Sequence, residues 1–321
     1  MNKLRVAVVG AGNIARNYHL PSLRRLADEG APIELAAVCD VQPERAQAMA
    51  TRFGFARALS DYRALLDAVA PDAVWALVPY PIMREVAGFY LAHGMPVLME
   101  KPPGVSSQET RELLLLAETH GTPHQVAFNR RYWPLLLKMK ALLGEVGPPH
   151  ALLCQFYRYH RTEPHFAFGT GVHGLDALRF LADSEVVEVH ARAGSHGSAQ
   201  ITLVMANGAL GLMEMLPQVG VDSERYTAHA GERTVAVDGA VAWLAQLPAQ
   251  LQCFDARRLT QAIAHPAGTE APEVAHGFYG ESAAFFAALR AGQRPGPDLR
   301  TALRSVEIAE AVDQGRSLVF D

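Results

Sequence analysis

The chain is poor in cysteine. Cys39, Cys154 and Cys253 are its only three in 321 residues, and they share no paired spacing. That excludes a disulfide framework and a cysteine-based zinc pattern, and it makes a reducing, cytoplasmic compartment the expectation. A surplus of one charge is also missing: Lys and Arg number 29 against 33 Asp and Glu, a formal net charge of −4. The pairs Arg24-Arg25, Arg130-Arg131 and Arg257-Arg258 are dispersed and build no basic stripe, so no nucleic-acid partner is expected. No apolar run approaches the ~20 residues of a membrane span. The run Val6-Ala7-Val8-Val9 stops at a glycine turn, too short for the core of a signal peptide, and reads as a first strand. His160, His165 and His173 with Glu163 fit no standard ligand spacing, so no metal is expected. A soluble protein without a membrane partner is the expectation.

What remains is ordinary globular composition, 50% hydrophobic and 19% charged, with length enough for two domains. The fold class reads as α/β. Residues 1–124 alternate short apolar runs with helix-period segments, the pattern of stacked βαβ units around a parallel sheet. The strands are expected at Leu4–Val9, Ile33–Cys39, Ala73–Val78, Val97–Glu100 and Gln125–Phe128. Helices are expected at Ile14–Ala27, Glu44–Phe53, Tyr62–Val69 and Met83–His93. Ser106 and Glu109 form a capping box for a further helix that Gly121 closes.

Residues 125–321 read as an α+β domain with a large open, mainly antiparallel sheet. Its runs include Ala151–Arg158, Val186–Ala193, Ala199–Met205, Ala209–Met215, Tyr226–Ala230 and Thr234–Val237. Asn207-Gly208 and Gly231-Glu232 are hairpin links. Helices near Val172–Ala182 and Tyr279–Ala291 are expected to pack on this sheet. Leu203, Met205, Leu210, Leu212, Met213 and Met215 put apolar groups on both of its faces, and the uncovered face predicts a homodimer or homotetramer through the sheet.

Two motifs carry chemistry. In Gly10-x-Gly12-x-x-Ala15 the first glycine permits the tight turn and the second lets backbone approach a pyrophosphate. Ala15 is small enough for close packing of the following helix, and Asn13 and Ile14 bring free N–H groups to the phosphates. Asp40, ending the second strand, would accept hydrogen bonds from ribose hydroxyls and repel a 2′-phosphate, favouring NAD over NADP. The alternative is a turn former before Val41-Gln42-Pro43. Arg45 could meet a 2′-phosphate, which leaves NADP open, and Pro79 lies where the nicotinamide ribose would sit. The second motif is Glu100-Lys101-Pro102, at the end of a strand of the same sheet and hence at the same rim.

With Phe128-Asn129-Arg130-Arg131-Tyr132-Trp133-Pro134 and Gly171-Val172-His173-x-x-Asp176 in order behind these, the chain resembles the Gfo/Idh/MocA oxidoreductase family. The resemblance implies an N-terminal Rossmann domain that binds NAD(P) and a C-terminal domain for substrate binding and oligomerisation. It implies that Lys101 and His173 flank the substrate, and that the Lys101–Pro102 bond is cis. Two positions depart from the family pattern. Gly169 stands where an aspartate usually precedes the histidine, and Met83 replaces a histidine common after the Ala73–Val78 strand.

The chemistry expected of such a chain is hydride transfer between nicotinamide and a hydroxyl carbon of a sugar, cyclitol or related polyol. His173 titrates near neutrality and would move the proton. Lys101 would polarise the oxygen as a cation, or relay the proton if burial lowers its pKa. Glu100 is a cofactor contact, an ion-pair partner or a strand-end anchor. Asp176 meets substrate, orients the His173 ring or anchors its helix. Asn129 and Arg131 bind substrate or, for Arg131, brace the domain junction. Tyr157 and His160 fall on opposite faces of their strand, one of which should approach substrate. Two rival functions stand: an NAD-dependent glycosidase or eliminase working by transient oxidation, and a non-catalytic NAD(P)-binding sensor, which Gly169 keeps open.

Overall fold

The computed structural model describes residues 3–239, 249–266 and 268–320. They pack as two compact units: Met1–Asn129 with Gly277–Leu303, and Arg130–His276 with Arg304–Asp321. A single cut at 124/125 therefore does not describe the return of residues 277–303 to the first unit.

The first unit is a six-stranded sheet in the order β3-β2-β1-β4-β5-β6. Its strands are β1 (Leu4–Val9), β2 (Ile33–Cys39), β3 (Arg57–Leu59), β4 (Ala73–Ala76), β5 (Val97–Met99) and β6 (His124–Val126). Every pairing is parallel. The order reverses between β1 and β4, the switch point at which open α/β sheets take ligands. The helices are α1 (Leu20–Asp28), α2 (Pro43–Phe53), α3 (Leu65–Val69), α4 (Tyr80–Ala92) and α5 (Ser107–His120). A π-helical turn, Ala15–His19, leads into α1. The strand β3, three residues long, is too short to have been legible. At α5 the Ser106 hydroxyl accepts from the Glu109 N–H at 3.2 Å, as a capping box requires. The Glu109 carboxylate reaches the Val105 N–H at 2.9 Å, one residue further back.

The second unit is built on a nine-stranded sheet, β14-β13-β12-β11-β7-β10-β9-β8-β15. The strands are β7 (Ala151–Tyr157), β8 (Val186–Ala193), β9 (Ala199–Met205), β10 (Leu210–Leu216), β11 (Ser223–Ala230), β12 (Arg233–Gly239), β13 (Ala249–Asp255), β14 (Arg258–His265) and β15 (Leu318–Val319). Only β7 and β10 pair in parallel; the other pairs are antiparallel. Its helices are α6 (Pro134–Gly144), α7 (Val172–Ala182) and the short α8 (Pro272–Ala275). Leu152, Cys154 and Phe156 of β7 and Met213 and Met215 of β10 are buried under this cover. Leu153, Leu210 and Leu212, on the opposite face, are 39–55% exposed.

Two helices follow, α9 (Phe278–Arg290) and α10 (Leu299–Asp313). The former corrects the expectation that the Tyr279–Ala291 segment packs on the antiparallel sheet. Phe285 meets Trp75 edge-on at 5.1 Å, Phe278 stacks on Tyr18 at 4.6 Å, and Phe285 and Phe286 join the core of the first unit. The aromatic face of this helix finds its apolar partners on the parallel sheet rather than near it in sequence.

Candidate active site

The rim of the first unit is organised by the end of β1. Gly10 adopts φ +99°, and a Cβ there would stand 2.3 Å from the Leu77 carbonyl oxygen, so both its backbone and the neighbouring chain after β4 exclude any side chain. Its N–H donates to the Cys39 carbonyl at 2.8 Å. A Cβ on Gly12, by contrast, would meet nothing within 4 Å. That open space beside the turn is what a bound pyrophosphate needs. Asn13 is exposed, Ile14 is half-buried, and Ala15 is buried where the π-turn begins.

Asp40 follows β2 and is 7% exposed. One carboxylate oxygen accepts from the Ala11 N–H at 2.8 Å and the other from the Gln42 N–H at 2.9 Å. The bond to Gln42, two residues on, is the turn-forming role; the bond to Ala11 braces the glycine turn. Both bonds coexist, one on each carboxylate oxygen. Arg45 lies 3.7 Å from the same carboxylate and donates to the Gln42 side chain at 2.8 Å. Pro79 is exposed and caps α4. Met83, by contrast, is core.

At the end of β5 the Lys101–Pro102 peptide is cis, as the resemblance implied, and Lys101 is half-buried. Glu100 points inward. One of its oxygens lies 2.9 Å from His19 Nε2, and the other accepts from the Lys101 N–H at 3.1 Å. Glu100 thus has the bonds of a strand-end anchor within the protein. His19, 0% exposed, went unread in the sequence. The one available signal was a histidine on the face of a helix that should be apolar. Asn129 is buried at 2% exposure.

In the second unit a π-turn, Ala167–Gly171, runs directly into α7, whose second residue is His173. The helix lies close on the sheet: a Cβ on Gly174 would stand 2.7 Å from Met213 Cε and 3.0 Å from Phe156 Cδ2. His173 is 7% exposed. Around Gly169, where the family's aspartate would stand, a Cβ would meet nothing within 4 Å.

Four expected substrate contacts, Asp176, Arg131, Tyr157 and His160, have these surroundings. Asp176 is fully buried, and its carboxylate takes two bonds from Arg131, at 2.7 and 2.8 Å, and one from the Ser305 hydroxyl at 3.1 Å. Asp176 anchors the helix, and Arg131 is committed to it. Burial works to lower the Arg131 pKa, but the adjacent carboxylate outweighs it and raises it. Tyr157 lies on the face of the sheet opposite α7, because it alternates with Phe156, and its hydroxyl bonds Glu214 there. His160 sits in the exposed loop after β7 with φ 52°.

The sequence also hid a buried charge cluster. Glu224 on β11 is 0% exposed and accepts from Arg130 at 2.6 Å, from Arg158 and, at 2.9 Å, from the Tyr226 hydroxyl. Burial alone would raise its pKa, but the two guanidiniums hold it down at about 2. His276 is buried beside this cluster, and burial, reinforced by the Arg130 charge, lowers its pKa to about 4.

A parallel sheet with a glycine turn at its switch point and an acidic residue at the end of the neighbouring strand defines a dinucleotide-binding protein. The comparisons with known proteins name the class. Residues 4–128 match the model of the Gfo/Idh/MocA oxidoreductases, described as an oxidoreductase family with an NAD-binding Rossmann fold. The chain is 30% identical over 257 residues to an inositol 2-dehydrogenase of Acidothermus cellulolyticus, covering 76% of this chain and 74% of that enzyme. It is 28% identical over 252 residues to an uncharacterized oxidoreductase of Bacillus subtilis, covering 72% and 70%. Among solved structures, a Gfo/Idh/MocA family oxidoreductase from Vibrio cholerae superposes with a TM-score of 0.83 at 26% identity, covering 97% of each chain. The chain belongs to the Gfo/Idh/MocA family of NAD-binding oxidoreductases. Among the described residues, no helix is long and apolar enough to cross a membrane.

Proposed function

We propose that this oxidoreductase transfers hydride between NAD and a hydroxyl carbon of a sugar, cyclitol or related polyol. The observation that carries the reading is the delivery of Lys101, by β5, to the carboxyl rim where the glycine turn and Asp40 also lie. The similarity to an inositol 2-dehydrogenase supports the substrate class. NAD, when bound, supplies the hydride acceptor.

In this reading the first unit holds the cofactor, with Gly10 to Ile14 at the phosphates and Asp40 at the adenosine ribose. Pro79 flanks the nicotinamide ribose. Lys101 polarises the substrate oxygen and stabilises developing alkoxide, while His173 takes or returns the proton. The second unit binds substrate, and Leu153, Leu210 and Leu212 on the uncovered face of its sheet meet a second copy of the chain. The three free, buried cysteines suit a reducing cytoplasm.

A second reading, a sensor that binds NAD without turning over, draws on the missing side chain at Gly169. One experiment separates the two: a panel of sugars and inositols followed at the NADH absorbance band. Turnover that falls about 10²–10⁴-fold in His173→Ala, and comparably in Lys101→Ala, supports the dehydrogenase. Tight NAD binding without turnover of any polyol overturns it in favour of the sensor. Product formed without net NADH points to the hydride-borrowing eliminase or glycosidase instead.

A further inference from the structure

His19 has no part in the chemistry above, yet it is fully buried and in contact with the residue next to Lys101. Two features of the first unit explain why. The π-helical turn Ala15–His19 closes with one residue more than an α-turn, which changes the helix face that its last side chain occupies. His19 is thereby aimed inward, with its ring edge-on to Phe278 at 5.0 Å.

Its Nε2 lies 2.9 Å from a Glu100 carboxylate oxygen. An ionised carboxylate only accepts, so Nε2 carries the proton and donates. Nδ1 is buried with no hydrogen-bond partner among the described residues. The ring therefore has a single polar tether among the described residues, and it leads to Glu100.

From Glu100 the tether reaches the lysine. The second carboxylate oxygen accepts from the Lys101 N–H at 3.1 Å, while the Glu100 N–H is bonded to Ala76 at 3.0 Å. Pro102 and Pro103 carry no N–H, so between Lys101 and Gly104 no other backbone donor can fix the chain. The orientation of the Lys101 peptide thus depends on where the Glu100 carboxylate is held, and His19 holds it.

We propose that His19 is a positioning residue for Lys101, tying the helix after the glycine turn to the lysine peptide through the buried Glu100 carboxylate. The inference rests on the role given to Lys101 above. Its consequence is that the cofactor-side helix and the substrate-polarising lysine move as one body.

The test compares His19→Leu, His19→Gln and Glu100→Gln in the full chain with NAD. It uses three readouts: kcat on a polyol that the wild type turns over, the Kd for NAD, and amide exchange of the peptide spanning residues 99–104. His19→Leu should lower kcat about 10–100-fold, as a misplaced catalytic group does, with the Kd for NAD changed less than about threefold. Exchange at the Lys101 amide should rise about tenfold or more. His19→Gln, which keeps a donor, should restore kcat and exchange to within about threefold of wild type. Glu100→Gln weakens the acceptor and should reproduce the leucine result even if His19→Leu fails to fold. Wild-type exchange and kcat in folded His19→Leu, or in Glu100→Gln, overturn the proposal. So does a kcat loss matched by lost NAD affinity with exchange unchanged. If Lys101→Ala retains activity while exchange responds as expected, the catalytic role of Lys101 fails and the tether stands.

Discussion

Arg131 grips Asp176 through two parallel hydrogen bonds of 2.7 and 2.8 Å, and the aspartate is wholly buried. The pair ties the segment that opens the second unit to the helix that carries His173. Planar, bidentate pairing of this kind is the strong form of an ion pair. Removing one partner leaves the other charge buried and uncompensated.

Asp176→Ala should therefore destabilise the chain by about 3 kcal/mol. In thermal unfolding that corresponds to a fall in Tm of roughly 6–12 °C. Arg131→Ala should cost a similar amount, and the double variant much less than the sum, because the two share one interaction. Additive losses would mean that the pair contributes nothing as a pair.

The two glycines of the turn should respond oppositely to alanine. In Gly10→Ala the new methyl would sit 2.3 Å from the Leu77 carbonyl at φ +99°, and the fold should lose at least about 3 kcal/mol. Gly12→Ala meets nothing within 4 Å, so Tm should hold or rise slightly. Its methyl would stand instead where phosphate approaches, weakening NAD by about tenfold or more as titrated by calorimetry. Wild-type NAD affinity in Gly12→Ala would remove the pyrophosphate from this turn.

Asp40→Ser tests cofactor choice. Losing a hydrogen bond to a charged group costs about 1.5–3 kcal/mol, so the Kd for NAD should rise about 10–100-fold while exclusion of NADP relaxes. Unchanged selectivity between the two would leave Asp40 with only its bonds to Ala11 and Gln42.

Acid should weaken the second unit in two stages. The His276 imidazole is held at about 4 when folded, below its ordinary 6.5, by burial and then by Arg130. Between those values the unfolded chain binds the extra proton, so stability is full above pH 6.5 and falls as pH drops through 4, by about 3 kcal/mol for this group. Glu224 follows the same sign lower down. Its folded pKa of about 2 against an ordinary 4.5 places a second loss between those two values. Urea midpoints measured from pH 7 to 3 should flatten between 6.5 and 4 in His276→Leu. An unchanged slope there would assign that limb to other groups.

Local patterns made most of the fold legible. Leu4–Val9 and Ile33–Cys39 are strands as read, because both are apolar almost throughout and end at turn residues. Gly10, Ser106 and the Asn207-Gly208 link mark their turns by backbone chemistry that needs no distant partner. Edge elements escaped: β3 is only three residues long and β14 is largely exposed, so periodicity carries little signal in them. The destination of α9 escaped as well, since an aromatic face shows that a helix is buried but not against which sheet.

The candidate site divides in the same way. Lys101, His173, Asp40 and the glycine turn stand out in the sequence because each lies in a short run that matches the family's pattern. The links His19 to Glu100, Arg131 to Asp176, and Arg130 and Arg158 to Glu224 were decided by tertiary structure alone. They join residues 45 to 94 positions apart. A charged side chain looks the same in sequence whether it is solvated or buried. What distinguishes the two is the cost of removing it from water, and only the folded chain brings the partner that offsets it.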